Sequence, residues 1–182
     1  MRRTRWLWVI GIVAGLGLVA IGVATPFYMF PATDQPAKVD VVYVIGPPTD
    51  ARVELAEDML EQGLAGAMMV SITDSTPGDY PKANAACTGE RTYPVYCSMP
   101  DPFTTRGEAR WLKDLAQEHD WDSAAVITFT PHISRARVIM ERCFGGELLM
   151  LDSGERLAPH SWAYQYLYQT VGFAKVAAMQ SC

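Results

Sequence analysis

The sequence predicts a three-layer α/β sandwich with a mainly parallel sheet, preceded by one N-terminal transmembrane helix. Three observations support this fold class. Uncharged, mostly apolar residues fill positions 6–24. Beyond them, short β-branched runs alternate with stretches of helical periodicity, an order typical of strands joined by crossover helices. The first of these runs, 39–45, is apolar almost throughout, which is typical of parallel strands buried on both faces.

Positions 1–30 have the composition of a membrane anchor or a signal peptide. Arginines occupy three of the first five positions, and the positive-inside rule keeps such residues cytoplasmic, which sends the following domain outward. About 20 apolar residues suffice to cross the hydrocarbon core. A cleaved signal peptide is the competing interpretation, because Gly22-Val23-Ala24 is an acceptable cleavage site. The apolar stretch is long for a signal peptide, which favours a single-pass anchor. Both interpretations place the domain outside the cytoplasmic membrane, in the second case as a secreted protein.

A polar linker, 31–38, leads into one domain that occupies 39–182. Strands and helices alternate along this domain, and its first strand–helix–strand unit is expected to be parallel and right-handed. The last helix has an aromatic face and contains Gly172, which could interrupt it. The predicted strands are 39–45, 67–72, 124–130 and 148–151, and the predicted helices are 50–62, 105–119, 134–144 and 161–179.

Residues 76–104 fall outside the alternation and contain two of the four cysteines. Their proline-rich, polar sequence predicts an ordered excursion with little regular structure. All four cysteines follow the apolar stretch, and an even number in an exported segment indicates disulfides. We predict a bond between Cys87 and Cys97, because the loop between them is turn-rich and poor in apolar residues. The remaining pair is then Cys143 and Cys182, with a buried free thiol at Cys143 as the alternative.

Composition excludes several classes of function. The net charge is −5 even with the N-terminal arginines included, which argues against nucleic-acid binding and against a polybasic lipid-binding patch. No metal site is expected, since C-x-x-C is absent and His119, His132 and His160 lack ligand spacing. No dinucleotide cofactor is expected either, because G-x-G-x-x-G is absent.

The loop after the strand 124–130 contains the first candidate site residues. Ligands of parallel sheets bind beyond the carboxyl ends of the strands, where loops lead into helix N-termini. His132 and Arg135 lie at such a place. A helix N-terminus with an arginine is a natural anion site, and an imidazole there can exchange a proton or donate to an oxyanion. The structural alternative is that Ser134 caps the helix while both side chains make loop hydrogen bonds.

Two further loops end at the same edge of the predicted sheet. Gly46 closes the first strand, and Arg52 follows early in the next helix as an anion ligand or as a surface arginine. Thr105-x-x-Glu108 matches a capping box, in which each side chain satisfies a backbone N–H of the first helical turn. That structural role accounts for Glu108 without any catalysis.

These segments resemble the YdcF-like family of envelope proteins, also described as domain of unknown function 218. The resemblance spans 39–151 and rests on DVVYVIG, on an arginine in the following helix, on TTRGEA and on ITFTPHISRAR. Its most specific element is H-x-x-R-A, matched by His132, Arg135 and Ala136. Two positions depart from the family pattern. Ala109 replaces the asparagine after the helix-start glutamate, and Ser71-Ile72-Thr73 replaces a Ser-Gly-Gly turn.

The resemblance implies a Rossmann-like fold and a polar cleft. In that cleft His132 and Glu108 are the predicted catalytic residues, and the predicted ligand-binding residues are Arg52, Arg135, Gly46 and Thr105. We therefore predict a membrane-anchored protein that binds or acts on a phosphorylated small molecule or a lipid-carrier-related ligand in envelope and peptidoglycan biogenesis. The alternative is a non-catalytic envelope scaffold with a vestigial cleft. In that case the 76–104 excursion and the aromatic C-terminal helix would contact a partner protein.

Overall fold

A parallel sheet of five strands lies at the centre of the α/β domain. The computed structural model describes residues 2–179 and 181–182. The strands are β1 (Val39–Val44), β2 (Ala65–Ser71), β3 (Val95–Ser98), β4 (Ser123–Thr128) and β5 (Glu147–Asp152). Their order across the sheet is β3-β2-β1-β4-β5, with every neighbouring pair parallel. The predicted α/β fold class and its parallel sheet are confirmed.

Helices cover both faces of the sheet, and one further helix precedes it at the N-terminus. They are α1 (Arg2–Tyr28), α2 (Asp50–Glu61), α3 (Thr76–Asp79), α4 (Pro81–Thr88), α5 (Thr105–His119), α6 (Ile133–Cys143) and α7 (Pro159–Ala178), with a 3₁₀ turn over Thr130–His132. Each helix and strand predicted from the sequence lies within two residues of an observed one at both ends.

Strand β1 shows how the core divides into two layers. Successive side chains of a strand point to opposite faces. Tyr43 accordingly packs with Leu112 of α5 and Met140 of α6 on one face. Val42 packs with Val53 of α2 on the other. Because both faces are buried, the near-continuous apolar run of β1 is what this position requires.

The segment 76–104 contains more regular structure than the sequence predicted. It forms α3, α4 and β3, and β3 adds an edge strand beside β2. The prediction of little regular structure is therefore wrong. The reason is length, because β3 has four half-buried residues and is too short for a recognisable period. The predicted Cys87–Cys97 disulfide is confirmed and joins the end of α4 to β3.

Helix α1 is long and apolar enough to cross a membrane over Trp6–Tyr28, with a mean hydropathy of 2.5. Its last two turns pack on the domain. The Thr25 and Tyr166 hydroxyl groups hydrogen-bond at 2.7 Å, and Ser134 Oγ donates to the Phe27 carbonyl at 2.8 Å. Ser134 is thus not the cap of α6, as the sequence suggested, but holds the end of α1.

The linker 31–38 is also attached to the domain. Asp34 accepts from the Met150 backbone N–H at 2.8 Å and pairs with Arg137 of α6 at 2.7 Å. Its own N–H donates to the Met150 carbonyl at 3.0 Å. The linker therefore lies against the edge strand β5. The end of α1 and the linker that follows it both contact the domain.

Helix α7 continues through Gly172 without a break. A Cβ at this position would lie 2.7 Å from Cδ of Arg135, so the glycine permits a close approach of α6 instead of ending the helix. The predicted Cys143–Cys182 disulfide is confirmed. It ties the C-terminus beyond α7 to the end of α6.

Candidate functional site

A cavity of about 710 Å³ lies beyond the carboxyl ends of β1 and β4. At this point the chain order reverses, because β1 has β2 on one side and β4 on the other. Ligands of open α/β sheets bind at such switch points. The wall includes five of the six predicted site residues: Gly46, Thr105, Glu108, His132 and Arg135. Helix α7 contributes Tyr164, Gln165, Tyr168, Gln169, Val171, Gly172 and Lys175.

Glu108 reaches the cavity because its own helix does not use it as a cap. The cap of α5 is Thr104, whose hydroxyl accepts from the Gly107 N–H at 3.2 Å. The predicted Thr105–Glu108 capping box is therefore wrong by one residue. Glu108 Oε1 instead accepts from the Gly46 backbone N–H at 2.7 Å. Burial raises the pKa of the Glu108 carboxyl, against the opposing effect of that hydrogen bond.

His132 is buried at the end of the 3₁₀ turn that follows β4. Its Nδ1 lies 3.0 Å from Thr128 Oγ1, and its Nε2 lies 3.3 Å from Thr105 Oγ1 at the start of α5. Burial and the nearby Arg135 and Arg52 charges lower the pKa of His132 well below its usual range. The imidazole is therefore neutral at physiological pH, with one nitrogen able to donate and the other able to accept.

Arg135 is held in the wall by α7. Its Nε donates to Gln169 Oε1 at 2.8 Å, and its guanidinium carbon lies 5.6 Å from the Tyr168 ring centroid. Gln169 is fully buried and donates in turn to Gln165 Oε1 at 3.1 Å. A guanidinium has five N–H donors, so Arg135 retains donors for a ligand after bonding Gln169. Lys175 adds a second cation to the same wall.

Arg52 is buried, but it does not belong to the described cavity wall. Its Nε pairs with Glu155 at 2.8 Å, and its Nη1 donates to the Ile45 and Pro47 carbonyls at 3.2 and 2.9 Å. Its guanidinium carbon also lies 5.0 Å from the Phe129 ring centroid. These contacts tie the loop after β1 to the segment after β5. In this structure Arg52 holds the loop after β1 in place next to the cavity. Its predicted contact with an anion stays a prediction.

Several residues of the site were missed by sequence reasoning. Gln169, Tyr168 and Lys175 come from α7, whose aromatic face was recognised but not assigned to the cleft. Glu155 follows β5 in a segment without periodicity, and nothing in its local sequence identifies it as the partner of Arg52. Ser71 was recognised as a hydroxyl at the end of β2, but its partner was not: it hydrogen-bonds the buried Tyr43 hydroxyl at 2.7 Å.

No protein-family model, curated protein or solved structure matches the chain. Assignment of a function therefore depends on the cavity itself. Among the described residues, no group of three or more His, Cys, Asp or Glu side chains is arranged to hold a metal ion. The cavity brings together a neutral imidazole, a carboxyl with a raised pKa and two cationic side chains.

Proposed function

We propose that the chain is a membrane-anchored cell-envelope protein with a YdcF-like domain, and that this domain binds a phosphorylated ligand. The observation that carries the proposal is the placement of Arg135 and Lys175 in one cavity wall with His132 and Glu108. Arg135 suits a phosphate because its planar donors match two oxygens at once, whereas Lys175 provides a point charge.

The helix geometry favours the same class of ligand. Helices α5 and α6 both begin at the cavity, with Thr105 at the start of the first and His132 next to the start of the second. Helix N-termini have positive partial charge and unpaired N–H groups, which attract anions. The neutral state of His132 adds a donor there without adding a charge.

Glu108 lies in this cationic setting without strongly opposing an anion. Burial raises the pKa of its carboxyl, and its Oε1 accepts from the Gly46 N–H, which offsets part of any negative charge on that oxygen. Carboxyl and imidazole groups are also the side chains that most often act as general acids and bases. If the bound ligand reacts, Glu108 and His132 are the side chains placed to transfer its proton.

The location follows from α1 and the cysteines. We propose that α1 crosses the cytoplasmic membrane once, with the N-terminal arginines inside and the α/β domain outside. All four cysteines lie in the domain and pair as two disulfides, which persist in oxidising compartments. A phosphorylated small molecule or a lipid-linked phosphate of envelope biogenesis fits this location.

The test is thermal unfolding of the full chain in detergent, with inorganic phosphate and pyrophosphate as probes at constant ionic strength. A ligand at 100 times its Kd stabilises the folded state by about 2.7 kcal/mol. For a chain of this size that corresponds to a rise in Tm of roughly 5–10 °C. We expect such a rise for the wild type and its loss in Arg135→Gln.

Arg137→Gln is the matched control, because Arg137 lies on the same helix but pairs with Asp34 outside the cavity wall. This variant should keep the full phosphate-dependent rise. An equal rise in Arg135→Gln and Arg137→Gln would contradict the proposal. Absence of any rise in the wild type would favour the non-catalytic scaffold.

A further inference from the structure

An apolar stripe on α7 is exposed at the rim of the cavity. It consists of Tyr164, Leu167, Tyr168 and Val171, each at least half exposed. Their spacing of three and four residues places them on one side of the helix. Soluble surfaces rarely present such a continuous apolar face, and its presence indicates a contact with a partner or a membrane.

The contacts of α1 show where this stripe lies relative to the membrane span. Thr25 hydrogen-bonds Tyr166, and Tyr28, one turn later, hydrogen-bonds Thr170. The two helices therefore run in the same direction where they touch. The part of α1 before Thr25 extends toward the N-terminal end of α7, the end at which Tyr164 and Leu167 lie.

The length of the span fixes the depth of that contact. About 20 residues cross the hydrocarbon core, and 20 residues counted from Trp6, where the candidate span begins, end at Thr25. Thr25 thus lies close to the outer membrane surface when α1 spans the bilayer. Tyr164 and Leu167 are within two residues of its partner Tyr166, a displacement of about 3 Å along the helix axis.

The chemistry of the stripe suits the lipid–water interface. Tyrosine is enriched at this interface because its ring is apolar and its hydroxyl is polar. Leu167 and Val171 supply apolar area, and the described stripe has no charged side chain between Tyr164 and Val171. Tyr164, Tyr168 and Val171 also line the cavity. A surface that contacts the stripe therefore lies beside the opening of the cavity.

We infer that the exposed face of α7 from Tyr164 to Val171 binds the surface of the bilayer that α1 crosses. The domain then has two membrane attachments, the span and the exposed face of α7 beside the outer end of the span. The inference depends on α1 remaining as the anchor, but not on which ligand the cavity binds. Failure of the phosphate test therefore leaves it standing, and its own failure leaves phosphate binding untouched.

The test places a nitroxide label on the full chain in vesicles of phosphatidylcholine and phosphatidylglycerol. Leu167→Cys carries the label on the stripe, and Glu118→Cys carries it on an exposed position near the far end of α5. Both side chains are exposed, so neither substitution removes a core contact. Power saturation then compares collisions with oxygen, which concentrates in lipid, and with a water-soluble nickel chelate.

We expect oxygen to relax the label at 167 more than the nickel chelate does, and the reverse at 118. A label at 167 that is as accessible to nickel as the label at 118 would overturn the inference. A label at 167 shielded from both reagents would also overturn it, in favour of a protein partner or a second copy of this chain covering the stripe.

Discussion

At the residue scale, the position of Glu108 depends on its neighbours at the start of α5. Thr104 satisfies the Gly107 N–H, so Glu108 is not needed as a cap and can bind the Gly46 N–H. A Cβ at Gly107 would collide with the Pro102 carbonyl oxygen, and the loop before α5 could not fold back over the helix start. Gly107 and Thr104 thus allow the Glu108 carboxyl to be buried at the start of α5.

That burial predicts a pH-dependent gain in stability for Glu108→Gln. The pKa of Glu108 is raised in the folded state, so folding holds its proton more tightly than the unfolded chain does, where the value is about 4.3. Stability contributed by the proton is therefore complete at low pH and is lost as pH rises through the folded pKa. Glutamine cannot ionise and keeps an oxygen for the Gly46 N–H.

We expect the Tm of Glu108→Gln to equal that of the wild type near pH 4 and to exceed it increasingly toward pH 7.5. Each unit by which the pKa is raised corresponds to about 1.4 kcal/mol, or roughly 3–6 °C in Tm for a chain of this size. Glu118→Gln, exposed on the same helix, should change the Tm at neither pH. A Glu108→Gln variant less stable than the wild type at pH 7.5 would show that the ionised carboxylate stabilises the fold.

Single residues also show the limits of sequence reasoning. The position of His132 and Arg135 beyond β4 was predictable, because both follow a buried strand and precede a helix. The roles of Ser134 and Glu108 were not, because each had a local partner that its sequence pattern favoured. Ser134 bonds α1, more than 100 positions away in the chain, and Glu108 bonds Gly46, 62 positions away. Local patterns cannot reveal partners at such separations.

At the element scale, α6 and α7 form one wall of the cavity and are connected at both ends of their contact. Arg135 near the start of α6 bonds Gln169 in α7, and Cys143 at the end of α6 bonds Cys182 beyond α7. The sequence predicted both helices because their periodicity is long. It did not predict that they pack together, since α7 follows the last strand and no pattern says which face of the sheet it covers.

The two disulfides should differ in their effect on stability. A disulfide restricts the unfolded chain more when it closes a longer loop, and the two pairs are separated by 10 and 39 residues. The chain-entropy relation gives about 2.7 kcal/mol for the shorter loop and about 3.9 kcal/mol for the longer. We expect urea unfolding of the full chain to show a greater loss for Cys143→Ala/Cys182→Ala than for Cys87→Ala/Cys97→Ala.

Equal losses for the two double variants, or a greater loss for the shorter loop, would contradict this expectation. They would mean that native packing around the bond outweighs restriction of the unfolded chain. The Cys87–Cys97 bond joins α4 to the edge strand β3, so packing at that edge is the contribution that such a result would identify.

At the scale of the whole molecule, α1 is attached to the α/β domain in two ways, through the linker and through α7. Asp34 joins the linker to β5 and α6, and the last turn of α1 packs between Tyr166 and Phe173 of α7 through Tyr28. The layered α/β fold was predictable from strand and helix alternation alone. The orientation of the domain relative to α1 was not, because it depends on contacts between α1 and α7, which lie far apart in the chain.

Cysteine labelling of cells whose outer layers have been removed, but whose cytoplasmic membrane is intact, tests the proposed topology. Glu118→Cys adds one free thiol to the exposed domain, whereas Thr4→Cys adds one to the arginine-containing N-terminus. If the positive-inside rule sets the orientation, a membrane-impermeant maleimide labels position 118 in intact cells and position 4 only after lysis. The mass of the labelled 118 variant then distinguishes a retained span from cleavage after Ala24, since cleavage removes the first 24 residues. Labelling of position 4 in intact cells, with position 118 protected, would show the opposite topology. Both disulfides would then lie in the reducing compartment, where they would not persist.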